Sequence, residues 1–242
     1  MAILFENHGN GDFNMTYVMS DIHGDYRAFL KMLEEIHFSD SDVLYIAGDF
    51  VDLGEEPMAL LCDVSMRANV IPVAGEHDLL ALRMLTELDR LEKSGDMSRA
   101  SDELKAWLTQ DGRTTLLGFH ALDEDMKEGI LDYLSDMVLF EEIKVKGEEY
   151  LMVHAGLVGY DGETPLEELP AEAFLSESLD PEKEYFPDKT VIVGHVHTSE
   201  LPDADENMIY YGEGSIYLDC GAARGGRLGC LCLDNGKEYY VS

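Results

Sequence analysis

The stretch Gly48-Asp49-Phe50-Val51-Asp52 gives the clearest indication of the fold of this chain. It follows the apolar run Val43–Ala47, which is typical of a buried strand and places Asp49 at that strand's carboxyl end. Gly48 allows a sharp turn and a close approach of the backbone to a ligand, and Asp52 adds a second carboxylate three residues after the first. The alternative interpretation is an ordinary strand-to-loop turn, where glycine and aspartate are common.

The same order of strand, polar loop and helix occurs three times in the first part of the chain. Apolar runs predict strands at 15–20, 43–47 and 70–73, and helical segments are expected after each of them. Asp25 suits the N-cap of the first helix, and Pro57 suits the first turn of the second. This repetition predicts βαβ units around a largely parallel sheet, whose functional groups gather where the carboxyl ends of the strands meet the loops.

Two later segments have a different character. The first, about residues 80–136, is predicted to be a helical excursion; it contains Trp107, Thr114 and Thr115, and no catalytic chemistry is evident in it. The second, about residues 160–189, is rich in acidic side chains and contains prolines that interrupt any long helix. This composition indicates an acidic surface loop or lid.

The second half of the chain is predicted to form another sheet. Strands are expected around Ile143 and Leu151, joined by a hairpin turn, and at the apolar run 191–193. Residues 208–241 have the pattern of short strands with glycine-rich turns, which we expect to complete a second, mostly antiparallel sheet. No composition break divides the chain, so a single α/β domain over residues 1–242 is predicted.

Composition and charge exclude several classes of partner. The chain has 50 acidic and 17 basic residues, and its formal net charge is −33. Such a chain repels nucleic-acid backbones and anionic membrane surfaces, so neither is an expected partner. Its apolar runs fall far short of the ~20 residues needed to cross a bilayer, and residues 1–14 lack the basic and apolar regions of a signal peptide. These features predict a cytoplasmic protein.

Carboxylates and histidines recur directly after the predicted strands, which suggests that they share one site. The residues with this placement are Asp21, His23, Asp49, Glu76, His154 and His195. A single histidine of this kind is more often a structural, hydrogen-bonded residue, but the joint pattern favours a metal site. Carboxylate oxygens and imidazole nitrogens suit Mn²⁺, Fe²⁺ or Zn²⁺, and six such groups exceed what one ion needs. The pattern predicts two ions bridged by an aspartate, with a hydroxide placed to attack a phosphorus atom.

These residues lie in ordered motifs that resemble those of calcineurin-like metallophosphoesterases, and most closely the bacterial branch of the phosphoprotein (serine/threonine) phosphatase group. The motifs are Asp21-Ile22-His23-Gly24, Gly48-Asp49-Phe50-Val51-Asp52, Gly75-Glu76-His77-Asp78, His154-Ala155-Gly156 and Gly194-His195-Val196-His197. The resemblance extends over residues 16–241. It implies a two-sheet β-sandwich flanked by helices, with two divalent metal ions, Mn²⁺ first among them, at the edge of the sheets.

Carried over by motif, the resemblance also implies a role for each residue. The first metal would be held by Asp21, His23 and Asp49, and the second by Asp49, Glu76, His154 and His195. His77 would be the general acid toward the leaving oxygen, and Asp52 would orient its ring, since a carboxylate raises the pKa of an imidazole. His197 is either a bystander or a contact from the loop.

Three positions depart from the family pattern. Glu76 stands where the family usually has asparagine, and Leu53 and Ala74 stand where phosphoprotein phosphatases carry arginine. An ionised Glu76 lowers the charge of the site by one unit, which is worth roughly 3 kcal/mol at ~5 Å and an effective dielectric near 20. Phosphate should then be held less tightly and metal more tightly. In place of the missing guanidiniums, Arg224 in a glycine-rich turn is the candidate phosphate contact; the alternative is an exposed arginine on a mobile turn.

The expected function is the dimetal-dependent hydrolysis of phosphate monoesters by a metal-bound hydroxide, with His77 as general acid. The resemblance favours a phosphorylated protein as substrate, followed by small phosphorylated metabolites. One alternative is a nucleotide or dinucleoside polyphosphate hydrolase, because the bacterial relatives include symmetrical diadenosine tetraphosphate hydrolases. The other is a metal-binding pseudoenzyme, which the departures at Leu53, Ala74 and Glu76 suggest.

Overall fold

Two five-stranded sheets form the centre of the structure, a computed structural model that describes residues 15–242. The described strands are β1 (Thr16–Met19), β2 (Val43–Ala47), β3 (Val70–Val73), β4 (Phe140–Val145), β5 (Glu148–Val153), β6 (Lys189–Val193), β7 (Tyr210–Gly212), β8 (Ser215–Tyr217), β9 (Leu228–Cys232) and β10 (Glu238–Val241). The described α-helices are α1 (Tyr26–Glu35), α2 (Pro57–Ser65), α3 (Glu76–Ser94), α4 (Asp102–Thr109), α5 (Arg113–His120), α6 (Glu124–Asp136) and α7 (Glu172–Leu175).

Each sheet contains three neighbouring parallel strands. The first has the order β10-β9-β1-β2-β3, in which β1, β2 and β3 are parallel and are connected through α1 and α2. The predicted βαβ repeat is therefore confirmed, and Asp25 caps α1 by accepting the N–H of Ala28 at 2.9 Å. The second sheet has the order β4-β5-β6-β8-β7, in which β5, β6 and β8 are parallel.

The prediction for residues 208–241 was wrong in two respects. Only β7 and β8 join the second sheet, whereas β9 pairs antiparallel with β1 and carries β10 into the first sheet. The second sheet is also mixed rather than mostly antiparallel, because only its edge strands β4 and β7 run against their neighbours. All residues of β9 are buried, as expected for a strand inside a sheet. Their apolar character does not specify which sheet the strand enters.

Three apolar layers hold the sheets and helices together. One packs the helices α1 to α6 on the first sheet, and another lies between the two sheets. The layer between the sheets contains Val18 and Val73 from the first sheet and Met152 and Ile192 from the second. A third layer covers the outer face of the second sheet and includes Phe174 of α7. These layers confirm the expected two-sheet α/β architecture flanked by helices.

Both segments of unusual composition are ordered against the sheets. The excursion at about 80–136 consists mainly of α3, α4, α5 and α6. The acidic segment 160–189 is mostly irregular, but α7 anchors it, because the carbonyl of Phe174 accepts the N–H of Ala155 at 2.8 Å. Its role as a lid and the assignment of residues 1–242 to a single domain stay predictions.

Over residues 15–242, no helix is both long enough and apolar enough to span a membrane. The expectation that the chain starts without a signal peptide concerns residues 1–14, which lie outside the described residues.

Candidate metal centre

The loops that follow β1, β2, β3, β5 and β6 meet at one edge of the two sheets. Each delivers at least one of the predicted ligands to this edge. In the order of the loops, these ligands are Asp21 and His23, Asp49, Glu76, His154, and His195. The structure therefore brings all six side chains, from both sheets, to one place, as their position after strands predicts.

Asp49 lies at the centre of this cluster. Its Oδ2 atom is 3.5 Å from Nε2 of His23 and 3.5 Å from Nε2 of His154. Two groups of ligand atoms, each within 4.8 Å of one another, therefore share this aspartate: one includes His23 and His77, and the other includes His154 and His195. A carboxylate between two sets of donors is the arrangement that a bridged pair of metal ions requires.

Asp21 and Glu76 lie at the margins of these groups. Oδ1 of Asp21 is 4.0 Å from Nε2 of His23, and Oε1 of Glu76 is 3.5 Å from Nδ1 of His195. Asp21 also accepts the backbone N–H of His195 at 3.0 Å, which joins the β1 loop to the β6 loop. Glu76 is more exposed than the other predicted ligands, with 46% of its side chain accessible.

Four of the predicted ligands occupy a strained backbone conformation. Asp21, His23, Asp49 and His195 have φ angles of 52°, 46°, 57° and 65°, in the left-handed region. This region costs a non-glycine residue roughly 1–2 kcal/mol, and such strain persists where the surrounding structure imposes it, commonly at functional sites. Here hydrogen bonds between loops impose it, since the N–H of His23 donates to the carbonyl of Asp49 at 2.9 Å.

Two glycines allow the loops to approach the carboxylates. A Cβ atom on Gly75 would lie 2.1 Å from Oδ1 of Asp49, and one on Gly194 would lie 2.1 Å from Oδ2 of Asp21. Neither distance is compatible with a side chain. The glycines of the third and fifth motifs are thus required by close packing on the carboxylates.

The two histidines beside Asp49 both turn Nε2 toward its carboxylate, as metal ligands would. Nδ1 of His23 is 3.0 Å from the carbonyl of Val51, and Nδ1 of His154 is 2.8 Å from the carbonyl of Ala47. Because a carbonyl only accepts, each Nδ1 carries the proton and each Nε2 presents a lone pair. Nε2 of His154 is buried and has no hydrogen-bond partner among the described residues. Such an orphaned nitrogen fits a metal ion.

Burial determines the charge state of these groups. It lowers the pKa of His23 to about 3 and also lowers the pKa of His154, so both rings are neutral, as metal binding requires. Burial, with the nearby charges of Asp219 and Asp49, raises the pKa of Asp21, and burial raises the pKa of Asp49 to about 7. The site concentrates carboxylates that divalent cations would neutralise, so its residues fit the predicted metal pair.

Asp219 is a site residue that the sequence analysis did not identify. Its carboxylate lines the same cavity as Asp21, helps to raise the pKa of Asp21 and accepts the N–H of Gly221 at 2.8 Å. Its position in the sequence could have indicated this, because Asp219 comes two residues after β8 and so follows a strand, as the other site carboxylates do. The short strand β8 lacked a recognisable pattern of its own.

Asp78 belongs to the third motif, but the sequence analysis gave it no role; in the structure it joins two loops. Its buried carboxylate accepts the N–H groups of Asp49, Phe50 and Gly75 at 2.8, 2.9 and 2.9 Å. Burial raises the pKa of Asp78 to about 7. The side chain of Asp78 therefore links the β2 loop to the β3 loop.

His77 lies beside the cluster and contacts Asp52. Its Nδ1 donates to Oδ2 of Asp52 at 2.9 Å, and its backbone N–H donates to Oδ1 of Asp49 at 3.0 Å. Burial alone would lower the pKa of His77, but the bond to Asp52 and the charges of Asp49 and Asp52 raise that pKa to about 9. The ring is therefore protonated at neutral pH, which suits a proton donor better than a metal ligand.

The helical excursion, in which the sequence showed no catalytic chemistry, contacts Asp52 of this pair directly. Nε1 of Trp107 donates to Oδ2 of Asp52 at 2.9 Å, and the hydroxyl of Thr115 donates to Oδ1 at 2.7 Å. These contacts join residues 55 and 63 positions apart in the chain. Asp52 thus receives donors on both oxygens.

The remaining predicted residues lie around the mouth of the cavity or outside it. Arg224 and Leu53 line the cavity, and the guanidinium of Arg224 contacts Oε1 of Glu200 at 3.0 Å. Ala74 is fully buried. The ring of His197 is bonded to Asn207 and Ser199 and is absent from the residues that line the cavity, which favours its interpretation as a bystander.

Comparison with known sequences identifies a family and related proteins. The model of the calcineurin-like phosphoesterase family matches residues 16–226. The symmetrical bis(5'-nucleosyl)-tetraphosphatase of Delftia acidovorans is 31% identical over 149 residues, which cover 59% of this chain and 44% of the relative. Its counterpart in Buchnera aphidicola is 33% identical over 100 residues, which cover 38% of this chain and 36% of the relative. The chain therefore spans less than half the length of these relatives.

Solved structures share the whole architecture. A protein that carries the provisional name diadenosine tetraphosphatase superimposes with a TM-score of 0.64 at 20% identity, over 94% of this chain and 93% of its own. A metallophosphoesterase from Sphaerobacter thermophilus superimposes with a TM-score of 0.57 at 16% identity, over 94% and 88%. At these identities the likeness concerns the fold alone. Taken with the family match over residues 16–226, the shared fold and the gathered aspartates and histidines show that this chain belongs to the calcineurin-like phosphoesterase family.

Proposed function

We propose that this chain is a dinuclear metal-dependent phosphoesterase that hydrolyses small phosphorylated compounds, with a symmetrical dinucleoside tetraphosphate as the first candidate substrate. The observation that carries the proposal is the position of Asp49, whose Oδ2 atom lies 3.5 Å from both His23 and His154. Two divalent ions held there would supply Lewis acidity toward phosphoryl oxygens and acidify a water molecule into a nucleophile.

The site offers ligands for two metal ions and a separate proton donor. Asp21 and His23 would complete one metal site with Asp49, and Glu76, His154 and His195 would complete the other. The mixture of carboxylate oxygens and imidazole nitrogens suits Mn²⁺, with Fe²⁺ or Zn²⁺ as alternatives. His77 would donate its Nε2 proton to the leaving oxygen, while Asp52 holds Nδ1.

The choice of substrate class follows from the relatives and from the size of the cavity. The curated relatives are named for dinucleoside tetraphosphate hydrolysis, which supports a small phosphorylated substrate over the phosphorylated protein that the sequence first suggested. The cavity has a volume of about 60 Å³, enough for a few water molecules or one phosphoryl group. The rest of any substrate would therefore lie outside, against the rim formed by Leu53, Ala223 and Arg224.

Turnover of a matched panel with Mn²⁺ tests the proposal. Diadenosine tetraphosphate, 4-nitrophenyl phosphate and a phosphoserine peptide are compared by kcat/KM and by product analysis. We expect the highest value for the dinucleotide, with two molecules of ADP as products. Preferential hydrolysis of the peptide would favour a protein phosphatase instead, and the absence of turnover in the metal-loaded protein would favour a pseudoenzyme.

Replacing Glu76 with asparagine should strengthen phosphate binding and weaken metal binding. The change removes one negative charge next to His195. Because the Glu76 side chain is 46% exposed, solvent screens this charge, and we expect phosphate affinity to rise only several-fold. Inhibition constants for phosphate and tungstate, and titration with Mn²⁺, measure the two effects. Glu128→Asn, which removes the same charge from an exposed turn of α6, should change neither. Equal inhibition of wild type and Glu76→Asn would show that Glu76 does not face the bound phosphate.

Replacing Arg224 with alanine should raise KM several-fold and leave kcat nearly unchanged, because a bidentate phosphate contact is lost. The exposed ion pair with Glu200 is weak enough for a substrate to displace, so Glu200→Gln should lower KM. Arg227→Ala, in the same turn but outside the cavity lining, is the control. A wild-type KM for Arg224→Ala would mean that this guanidinium does not bind substrate.

A further inference from the structure

The carboxylate of Asp52 accepts three hydrogen bonds, and two of them come from the helical excursion. Oδ2 accepts from Nδ1 of His77 at 2.9 Å and from Nε1 of Trp107 at 2.9 Å. Oδ1 accepts from the hydroxyl of Thr115 at 2.7 Å, and the same hydroxyl accepts the backbone N–H of Asp52 at 3.0 Å. Thr115 therefore fixes both the main chain and the side chain of Asp52.

Asp52 needs this support because its own torsions do not fix the carboxylate plane. Rotation about χ2 of an aspartate is broad, so hydrogen-bond donors decide which direction each oxygen faces. Asp52 is fully buried, so water does not substitute for a lost donor. Its φ angle of 66° also lies in the strained left-handed region. Without Trp107 and Thr115, His77 would be the one side chain among residues 15–242 that still donates to the carboxylate.

The two donors are themselves rigidly placed. Trp107 is 4% exposed, and Thr115 is completely buried. The ring of Trp107 lies against Gly112, where a Cβ atom would come within 2.0 Å of Cε2. The carbonyl of Asp111 in the same turn accepts the N–H of Leu53 at 3.2 Å, next to Asp52. The α4–α5 hairpin thus contacts both the main chain of the Asp52 loop and the side chain of Asp52.

We propose that Trp107 and Thr115 are positioning residues of the reaction: they hold Asp52 so that the ring of His77 points its Nε2 proton at the leaving oxygen. The proposal rests on the role of His77 in the proposed function and adds the part of the chain that controls it. Trp107 and Thr115 touch neither the metal ligands nor the cavity among the described contacts. Their effect on the reaction passes through Asp52 alone.

A series of aryl phosphates with increasingly poor leaving groups separates positioning from general stabilisation. A poor leaving group needs its proton, whereas 4-nitrophenolate leaves without one. Trp107→Phe and Thr115→Val should therefore lower kcat by roughly 10-fold for phenyl phosphate, part of the 10²–10⁴-fold that acid catalysis supplies. KM should be unchanged, and kcat for 4-nitrophenyl phosphate should stay close to the wild-type value. Thr115→Ser, which keeps the hydroxyl, should restore kcat for phenyl phosphate.

Phe119→Leu is the matched control for lost packing. Phe119 lies in α5 with Thr115, is fully buried and makes no contact with Asp52 among the described hydrogen bonds. This variant should lower the melting temperature without any dependence of kcat on the leaving group. If Trp107→Phe and Thr115→Val lower kcat equally for all members of the series, the two residues are structural and the proposal is wrong.

The nitrogen and proton spectrum of the His77 ring tests the same proposal without turnover. In the Zn²⁺-loaded wild type, the Nδ1 proton is protected by Asp52 and should give a resolved NMR signal. The double variant Trp107→Phe/Thr115→Val should lose this signal through exchange. A His77 spectrum identical in both proteins would overturn the proposal even if no substrate is turned over. Failure of turnover with loss of the signal would instead refute the proposed function and leave the positioning role intact.

Discussion

Replacing Asp49 with asparagine is expected to abolish turnover and to remove the stabilisation of the protein by divalent ions. Asp49 is the carboxylate shared by both groups of ligand atoms, so its loss should weaken both metal sites at once. We expect turnover to fall on the order of 10³-fold or more, since the ions supply several kcal/mol of charge stabilisation. Melting curves with and without Mn²⁺ measure the second effect, because an ion that binds only the native state raises the melting temperature.

Without metal, we expect Asp49→Asn to be at least as stable as the wild type. Burial raises the pKa of Asp49 to about 7, so its ionised form is unfavourable in the folded protein, and neutral asparagine removes that cost. Metal-free Asp49→Asn should therefore melt at or above the temperature of metal-free wild type. Asp42→Asn is the control, because Asp42 is also a buried carboxylate but bonds to Met15 and Ser39 outside the site. A normal Mn²⁺ response in Asp49→Asn would falsify the assignment of Asp49 as the shared ligand.

Replacing His77 with asparagine is expected to give the second largest effect. Turnover of substrates with poor leaving groups should fall by about 10²–10⁴-fold, the usual contribution of a general acid. Metal content should be unchanged, because the Nδ1 atom of His77 bonds to Asp52 and its ring is protonated at neutral pH. Kinetics on phenyl phosphate and metal analysis of the purified variant measure the two quantities.

His120→Asn provides a close control for this change. His120 also pairs through Nδ1 with a carboxylate, Glu92 at 3.1 Å, but it is exposed and lies outside the site. We expect wild-type kinetics for this variant. If His77→Asn loses its bound metal together with its activity, His77 is a metal ligand rather than the general acid. Its closeness to Asp49 and His23 would be consistent with that role.

Local rules made much of the fold predictable from sequence. An apolar run such as Val43–Ala47 favours a strand that is largely buried, and a helix with Asp25 or Pro57 at its start follows from capping and backbone geometry. Parallel strands place their carboxyl ends at one edge, so polar residues after strands could be expected to meet there. The structure brings those side chains together, while their roles in binding and catalysis stay predictions.

The sequence by itself therefore determined the βαβ repeat and the placement of six predicted ligands directly after strands, because each depends on residues near one another in the chain; Asp219 was missed because β8 is too short to give such a local pattern. Tertiary structure alone decided that β9 pairs with β1, since an apolar strand buried on both faces is equally suited to either sheet. It also decided that Trp107 and Thr115 bond to Asp52, 55 and 63 residues away. Hydrogen bonds between distant segments have no period or local preference in the sequence, because only the packing of the helical excursion on the sheet brings their atoms within reach.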